Sequence, residues 1–143
     1  MATRYIDTDY LIKRVDESTI KELLDITDIT DGKVISAIND AEDRVDEYIN
    51  VFYDVPLSII PSIIKETVLA IAVYNIYQYR YDNELPEHIV RRYNEAISFL
   101  KSVESGKHKI DDLENKSTTS FKIITNKTSD DKVFNSTKLS QIL

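Results

Sequence analysis

Apolar residues recur at helical spacing along most of this 143-residue chain, and the longest regular stretch begins after Gly32. From there the apolar positions follow alternating steps of four and three residues, the period of an amphipathic α-helix. The stripe comprises Val34, Ile38, Ala41, Val45, Tyr48 and Phe52, and is widened by Ile35 and Ile49. The opposite face carries Asp40, Asp43, Arg44, Asp46 and Glu47. The pattern predicts one long helix, which ends near Tyr53 because Pro56 disfavours helical geometry before it.

The next predicted helix is apolar around most of its circumference. Pro61 suits its first turn, and apolar residues follow from there to about Arg80. A helix at the surface of a globular protein is normally apolar on one side only. We therefore expect this helix to lie centrally, or to be covered on its remaining side by another subunit.

Two shorter patterns precede the long helix. Tyr5 to Val15 predicts a short first helix, with Thr8 and Asp9 as its candidate N-caps. A second short helix is predicted from about Ser18 to Leu24. The loop after it is rich in Asp and Thr, whose side chains compete for backbone hydrogen bonds.

A last helical pattern begins at Pro86 and runs through Val103, and Gly106 is its natural C-terminal cap. The composition changes after Gly106, because residues 107–143 contain no glycine or proline and few large apolar residues. Together the patterns predict an all-α fold, a small bundle of about four to five helices over residues 1–106. Residues 107–143 are predicted to form an extended tail, with the option of a short β-hairpin, that takes its structure from a partner.

The charge is unevenly distributed along the chain. Residues 1–106 contain 11 Lys and Arg against 20 Asp and Glu, whereas residues 107–143 contain 7 Lys against 5 acidic residues. An acidic body repels phosphate, which argues against binding of nucleic acid by charge. A helix-turn-helix drawn onto the long helix would present Asp40 and Asp43 to phosphate, so we set that interpretation aside.

Cysteine and membrane signals are both missing from the sequence. The chain has no cysteine, which excludes a disulfide framework and thiolate chemistry. Its longest apolar run, Val68 to Tyr74, is far shorter than the roughly 20 residues of a membrane span. The N-terminus lacks the apolar segment of a signal peptide. We expect neither a membrane span nor a cleavable signal.

Catalytic and metal-binding patterns are weak. An EF-hand register on Asp31-Gly32 would put Thr27, Ile29 and Ile38 at positions that require acidic ligands, so it fails. Asp43 and Glu47 share one helical face, but that face is the solvated one. The two histidines, His88 and His108, have no partners at ligand spacing. We expect no enzyme activity, no metal and no cofactor.

Tyrosines recur in the apolar helix at helical spacing, at Tyr74, Tyr77 and Tyr81, with Tyr79 between them. Two interpretations stay open. The rings can pack in the core with their hydroxyls at the surface, or they can contact another subunit, because Tyr and Arg are favoured at interfaces.

The order and spacing of these segments resemble one phage family. The resemblance is carried by Ala37 to Ile49, Tyr53-Asp-Val-Pro-Leu57, Pro61 with the helix ending Tyr77-Gln-Tyr-Arg80, and Pro86 to Tyr93 through Ser105-Gly-Lys. In this order they are similar to the Mu-like phage head-tail connector proteins, which are related to the adaptor proteins of long-tailed phages. The ending Val133-Phe-Asn-Ser-Thr-Lys-Leu is also similar. Phe52 stands where relatives often have arginine, and Ser140 where they usually have glycine.

The resemblance implies a structural adaptor in the virion, at the head-tail interface, assembled in the host cytoplasm. Its implied partners are the portal protein, neighbouring copies in a ring of twelve, and the tail or stopper protein, with DNA passing through unbound. The predicted ring contacts are Arg44, Tyr53, Tyr77, Arg80 and Arg92. The predicted residues docking on the portal or an adjacent subunit are Phe121, Ile123, Val133, Phe134, Leu139, Ile142 and Leu143. The alternative is a small helical regulatory protein that binds a single partner through its tail.

Overall fold

Five α-helices make up the part of the chain that the computed structural model describes, residues 3–80 and 84–114. They are α1 (Thr8–Ile12), α2 (Glu17–Leu24), α3 (Gly32–Ile49), α4 (Ser62–Gln78) and α5 (Glu87–Glu104). No strand occurs within these two ranges. The prediction of an all-α body is confirmed, whereas the predicted hairpin and the predicted docking residues of the tail lie outside the described residues.

Side-chain caps and prolines set where the helices begin. The Asp7 carboxylate accepts a hydrogen bond from the Tyr10 backbone N–H at 2.8 Å and caps α1, so Thr8 and Asp9 are not the N-cap as predicted. Asp31 caps α3 in the same way. Pro61 occupies the N-cap position of α4 and Pro86 that of α5. Proline suits these positions because it has no N–H to leave unpaired.

The end of α5 is closed by Gly106, as predicted. Gly106 has a positive φ of 83°, and its N–H donates to the Val103 carbonyl at 3.0 Å. The next N–H, that of Lys107, donates to the Ser102 carbonyl at 2.9 Å. These two bonds form a Schellman motif, which requires a residue in the left-handed region.

The two glycines of the chain give a matched pair of variants. A Cβ on Gly106 would combine a positive φ with a contact of 3.4 Å to the Phe52 ring, so Gly106→Ala should lower the free energy of unfolding by about 1 to 2 kcal/mol. A Cβ on Gly32, at the start of α3, meets no heavy atom of the described residues within 4 Å. Gly32→Ala should therefore be neutral or slightly stabilising, by up to about 1 kcal/mol. Urea denaturation of both variants checks this, and an equal loss in the two would contradict it.

Helix α4 lies at the centre of the bundle, as its apolar sequence predicts. It packs against α3, α5 and α2. Its fully buried residues lie on more than one side and are Ile64, Val68, Leu69, Ile71, Ala72 and Ile76. The Asn75 amide, near the end of α4, donates to the Ala37 carbonyl near the start of α3 at 3.2 Å. The two helices are therefore antiparallel, and the start of α4 lies beside the end of α3.

The packed body continues beyond Gly106, the boundary predicted from the sequence. The Ile110 side chain is only 2% exposed, and its backbone N–H donates to the Tyr53 hydroxyl at 2.9 Å. Leu113 also packs against the core. A buried tyrosine hydroxyl needs a hydrogen-bond partner, and here a residue after the helical bundle supplies it. Residues up to Leu113 thus pack with the helical body.

Candidate functional site

A groove of about 760 Å³ runs along α4 and α5, and residues from the end of α1 to the start of α2 form its other wall. Its floor is one face of α4, at Ile63, Glu66, Thr67, Ala70, Val73 and Tyr77. The side chains from α5 include Ile89, Ala96 and Phe99. Ile63 is 45% exposed, which is unusual for a large apolar side chain. The groove is therefore a mixed apolar and polar surface beside α4, with Ile63 as its exposed apolar side chain.

The rim of the groove carries both signs of charge. The basic residues are Arg14, His88, Arg91 and Arg92, and the acidic ones are Asp16, Glu66 and Glu95. Glu66 joins α4 to α1: its carboxylate accepts hydrogen bonds from the Tyr10 hydroxyl at 2.7 Å and from the Arg14 guanidinium at 2.9 Å. The Tyr10 hydrogen bond, aided by Arg14, lowers the pKa of Glu66. These contacts hold the wall formed by α1 against α4.

Two of the five predicted ring contacts meet at this groove. Tyr77 is half-buried in its floor, and Arg92 is exposed on its rim. Arg44 lies elsewhere, exposed on α3, where its guanidinium donates to the Tyr93 hydroxyl at 3.2 Å. The Arg80 guanidinium donates to the Glu22 carbonyl at 3.0 Å and so pairs with the last turn of α2. Both arginines are exposed and accessible to a neighbour.

The fifth predicted ring contact, Tyr53, is a core residue. Its side chain is only 2% exposed, and its hydroxyl accepts a hydrogen bond from the body's last buried residue, Ile110. A side chain enclosed in this way cannot reach a neighbouring subunit. Tyr53 is therefore removed from the contact set, because its hydroxyl is used to anchor the segment after α5.

The tyrosines in α4 and directly after it differ in their surroundings. Tyr74 is half-buried and stacks on Tyr93 of α5, with ring centroids 3.9 Å apart and an interplanar angle of 17°. This contact is the packing role, the first of the two interpretations. Tyr79 is 52% exposed, and Tyr81 lies outside the described residues.

A buried carboxylate, Glu42 on α3, was missed by the sequence reasoning. It is fully buried, and its oxygens accept hydrogen bonds from the backbone N–H groups of Arg4 at 2.9 Å, Tyr5 at 2.5 Å and Ile6 at 3.2 Å. The Arg4 guanidinium lies 3.5 Å from the same carboxylate. Glu42 thus fixes the N-terminal segment against α3. Its position beside Ala41 in the buried stripe was the one available signal.

Asp46, predicted on the solvated face of α3, is also largely enclosed, with its side chain 13% exposed. It accepts a hydrogen bond from the Tyr5 hydroxyl at 2.5 Å, and that hydroxyl accepts one from the Leu57 N–H at 3.1 Å. Burial, followed by the hydrogen bond to Asp46, raises the pKa of Tyr5. Burial likewise raises the pKa of Asp46, against the opposing effect of the tyrosine hydrogen bond. The N-terminal segment is therefore held to α3 and to the loop before α4.

The groups considered for catalysis or metal binding are dispersed. Asp43 and Glu47 have side chains 67% and 75% exposed. His88 and His108 are also exposed, and His108 packs edge-on against Phe99 at 5.0 Å. Within residues 3–80 and 84–114, no group of three or more His, Cys, Asp or Glu is arranged to hold a metal ion.

The described residues define a small all-α protein with a groove beside its central helix α4. The family described as Bacteriophage Mu, Gp36 matches residues 5–125, and the chain belongs to this family. The match spans all five helices and continues past Glu114, the last described residue. Among curated proteins, no sequence matches this chain.

Family membership makes this a phage protein and is consistent with a structural or morphogenetic role. Such a role would associate it with the virion. As for membranes, the helices within the two described ranges include none long and apolar enough to cross a bilayer.

Proposed function

We propose that the protein is a head-tail adaptor that assembles as a ring beneath the portal, joins the capsid to the tail and lets DNA pass. The observation that carries this proposal is the family match over residues 5–125, which includes every helix of the body. This match agrees with the resemblance to head-tail connector proteins, which was based on the order of the sequence motifs. The described body carries exposed arginines on its surface, which supports this proposal.

Side-to-side contacts in the ring use exposed guanidinium groups on different elements of the body. Arg44 lies on α3, Arg92 on α5, and Arg80 follows α4. Arginine suits this role because its planar group forms bidentate pairs with carboxylates and stacks on aromatic rings. A ring requires two different patches on each subunit, since a heterologous contact repeated around an axis closes the assembly. The acidic residues of the body supply the complementary charge.

The acidic body suits a channel for DNA. The described residues contain 13 Lys and Arg against 22 Asp and Glu. A surface of this charge repels phosphate, so DNA would traverse the ring without binding to it. A ring structure whose lumen is lined mainly by Lys and Arg would contradict this part of the proposal.

The tail attaches the ring to the portal or to an adjacent subunit. The apolar positions nearest the C-terminus are Val133, Phe134, Leu139, Ile142 and Leu143. A segment of this kind docks by adding a strand to a sheet edge or by inserting apolar side chains into pockets. The proposed partners are the portal, copies of the same chain, and the tail or stopper protein. In this structural role the protein has no enzymatic activity.

The mass of the complex with the portal tests the proposal. Many copies of this chain per portal assembly would support a ring. A single copy bound to a whole portal oligomer would instead indicate a regulatory protein that acts through its tail. Binding of a single copy to one other protein would indicate the same.

A further inference from the structure

We propose that the loop between α3 and α4 couples the two ends of the helical body. The loop comprises residues 50–61, and the two ends are the N-terminal segment, residues 4–6, and the exit segment, residues 109–113. When the N-terminal segment leaves α3, the exit segment is released as well. This coupling is a property of the body and does not rest on the proposed role in head-tail joining.

The first contact joins the N-terminal segment to the loop. The Tyr5 side chain is buried, and its hydroxyl accepts a hydrogen bond from the Leu57 N–H at 3.1 Å while it donates to Asp46 on α3 at 2.5 Å. Within the described residues, no backbone group of residues 54–60 pairs with another backbone group. The Tyr5 hydroxyl therefore supplies the acceptor that no backbone carbonyl supplies, and without it the Leu57 N–H would stay buried and unpaired.

The second contact joins the same loop to the exit segment. The Tyr53 hydroxyl accepts a hydrogen bond from the Ile110 N–H at 2.9 Å, and both side chains are buried. Among the described residues, the backbone groups of the exit segment pair with no backbone group of the five helices. Phe52, the preceding loop residue, lies against Gly106. The exit segment is thus anchored to the body by a hydroxyl that the loop supplies.

The two contacts share one short stretch of chain, since Leu57 follows Tyr53 by four residues. If Tyr5 leaves, the Leu57 N–H must move toward water, because a buried donor without an acceptor is unfavourable. The Tyr53 N–H is bonded to the Ile49 carbonyl at 2.9 Å, at the end of α3. The loop would therefore turn about Tyr53 and carry its side chain along. The hydrogen bond from Ile110 then weakens, because such bonds depend steeply on their angle.

Two carboxylates of α3 hold the N-terminal segment in place. Glu42 accepts hydrogen bonds from the backbone N–H groups of Arg4, Tyr5 and Ile6, and Asp46, one turn later, accepts one from the Tyr5 hydroxyl. Any event that draws the N-terminal segment away from α3 therefore changes where the chain leaves the body. The body thus has a built-in means of regulating the contacts that the tail makes.

Hydrogen exchange of single amides, followed by NMR on the full-length chain, tests the coupling. Tyr5→Phe removes the hydroxyl and keeps the ring. It should speed exchange of the Leu57 amide by about tenfold, as the loss of one buried hydrogen bond predicts. If one opening breaks both contacts, exchange of the Ile110 amide rises by a similar factor, because the native state has lost the Tyr5 contact relative to that opening.

Tyr10→Phe is the matched control. Tyr10 also joins the N-terminal part of the chain to a helix, through a hydrogen bond of 2.7 Å from its hydroxyl to Glu66 on α4, but it does not bond to the loop. This variant should leave exchange at Ile110 within about twofold of the unchanged protein. Equal effects of the two variants at Ile110, or a faster Leu57 with an unchanged Ile110 in Tyr5→Phe, would overturn the proposal.

A reciprocal measurement starts from the other contact, because coupling between two sites acts equally in both directions. Tyr53→Phe removes the acceptor of the Ile110 N–H and should speed exchange at Leu57, and at Ile6 beside Glu42, by about tenfold. Circular dichroism checks that each variant is folded, and if Tyr5→Phe does not fold, Tyr53→Phe decides alone. Unchanged exchange at Leu57 and Ile6 in Tyr53→Phe would contradict the coupling, whether or not the protein joins heads to tails.

Discussion

Replacing Glu42 by alanine is expected to lower the free energy of unfolding by about 3 to 5 kcal/mol, because three backbone N–H groups lose a charged acceptor and each group left buried and unpaired costs about 1 to 3 kcal/mol. The carboxylate is fully buried and accepts three backbone hydrogen bonds from the N-terminal segment, at Arg4, Tyr5 and Ile6. Without it, these N–H groups stay desolvated and unpaired, or the segment leaves α3. Thermal and urea denaturation measure the loss, and hydrogen exchange at the three amides reports the release of the segment.

Glu47→Ala is the matched control, since Glu47 lies on the same helix but its side chain is 75% exposed. An exposed substitution of this kind changes stability by about 0.5 kcal/mol or less. Glu42→Gln keeps the size and one acceptor oxygen, so its loss should fall between those of the two alanine variants. If Glu42→Ala and Glu47→Ala were equally stable, the carboxylate would not hold the N-terminal segment.

A chain that ends at Ser129 should fold but fail to attach to portal-bearing heads. It keeps the five helices, the contact of Ile110 with Tyr53 and all residues that the family match covers. It lacks the apolar positions from Val133 to the C-terminus. We expect its affinity for heads to fall by about 100-fold or more, equivalent to about 2.8 kcal/mol, which two buried apolar anchors can supply. Co-sedimentation with heads measures the binding, and the melting temperature shows that the body is intact.

Point variants of the full-length chain separate the role of the apolar side chains from that of tail length. Phe134→Ser with Leu139→Ser should reproduce the loss of attachment. Ser136→Ala with Ser140→Ala, which leaves the apolar positions in place, should not. Unimpaired attachment of the chain ending at Ser129 would show that the body alone contacts the portal.

The helices and the central place of α4 could be predicted because they depend on local patterns. The apolar stripe after Gly32 sets which side of α3 is buried, and prolines at positions 61 and 86 mark the starts of α4 and α5. Gly106 could be assigned as a cap because few other residues adopt a positive φ. These signals act over a few residues, so they can be read from the chain directly.

The contacts that join distant segments could not be predicted in the same way. Glu42 is buried because backbone amides 36 to 38 residues earlier bind it, and backbone amides leave no mark in a sequence. Tyr53 and Asp46 were placed at the surface for the same reason, since their hydrogen-bond partners are Ile110 and Tyr5. The wrong predictions for Tyr53 and Asp46 thus come from hydrogen bonds between residues far apart in the sequence. The fold was predicted correctly because local periodicity determines the helices.

The groove lies between these two cases. The excess of apolar residues on α4 predicted a central helix, or one covered on its remaining side by another subunit. The structure shows a central helix with a groove beside α5 and the α1–α2 wall. The sequence did not indicate which residues would form the wall, because the Glu66 contacts with Tyr10 and Arg14 span more than 50 residues.

Electron microscopy of the purified protein bound to its portal tests the central claim most directly. The adaptor proposal predicts a ring of repeated small densities, coaxial with the portal and beneath it, each the size of this helical body. The protein would then be seen in many copies around an open channel. A portal that carries no such ring, or a single copy bound at one side, would contradict the assignment as a head-tail adaptor.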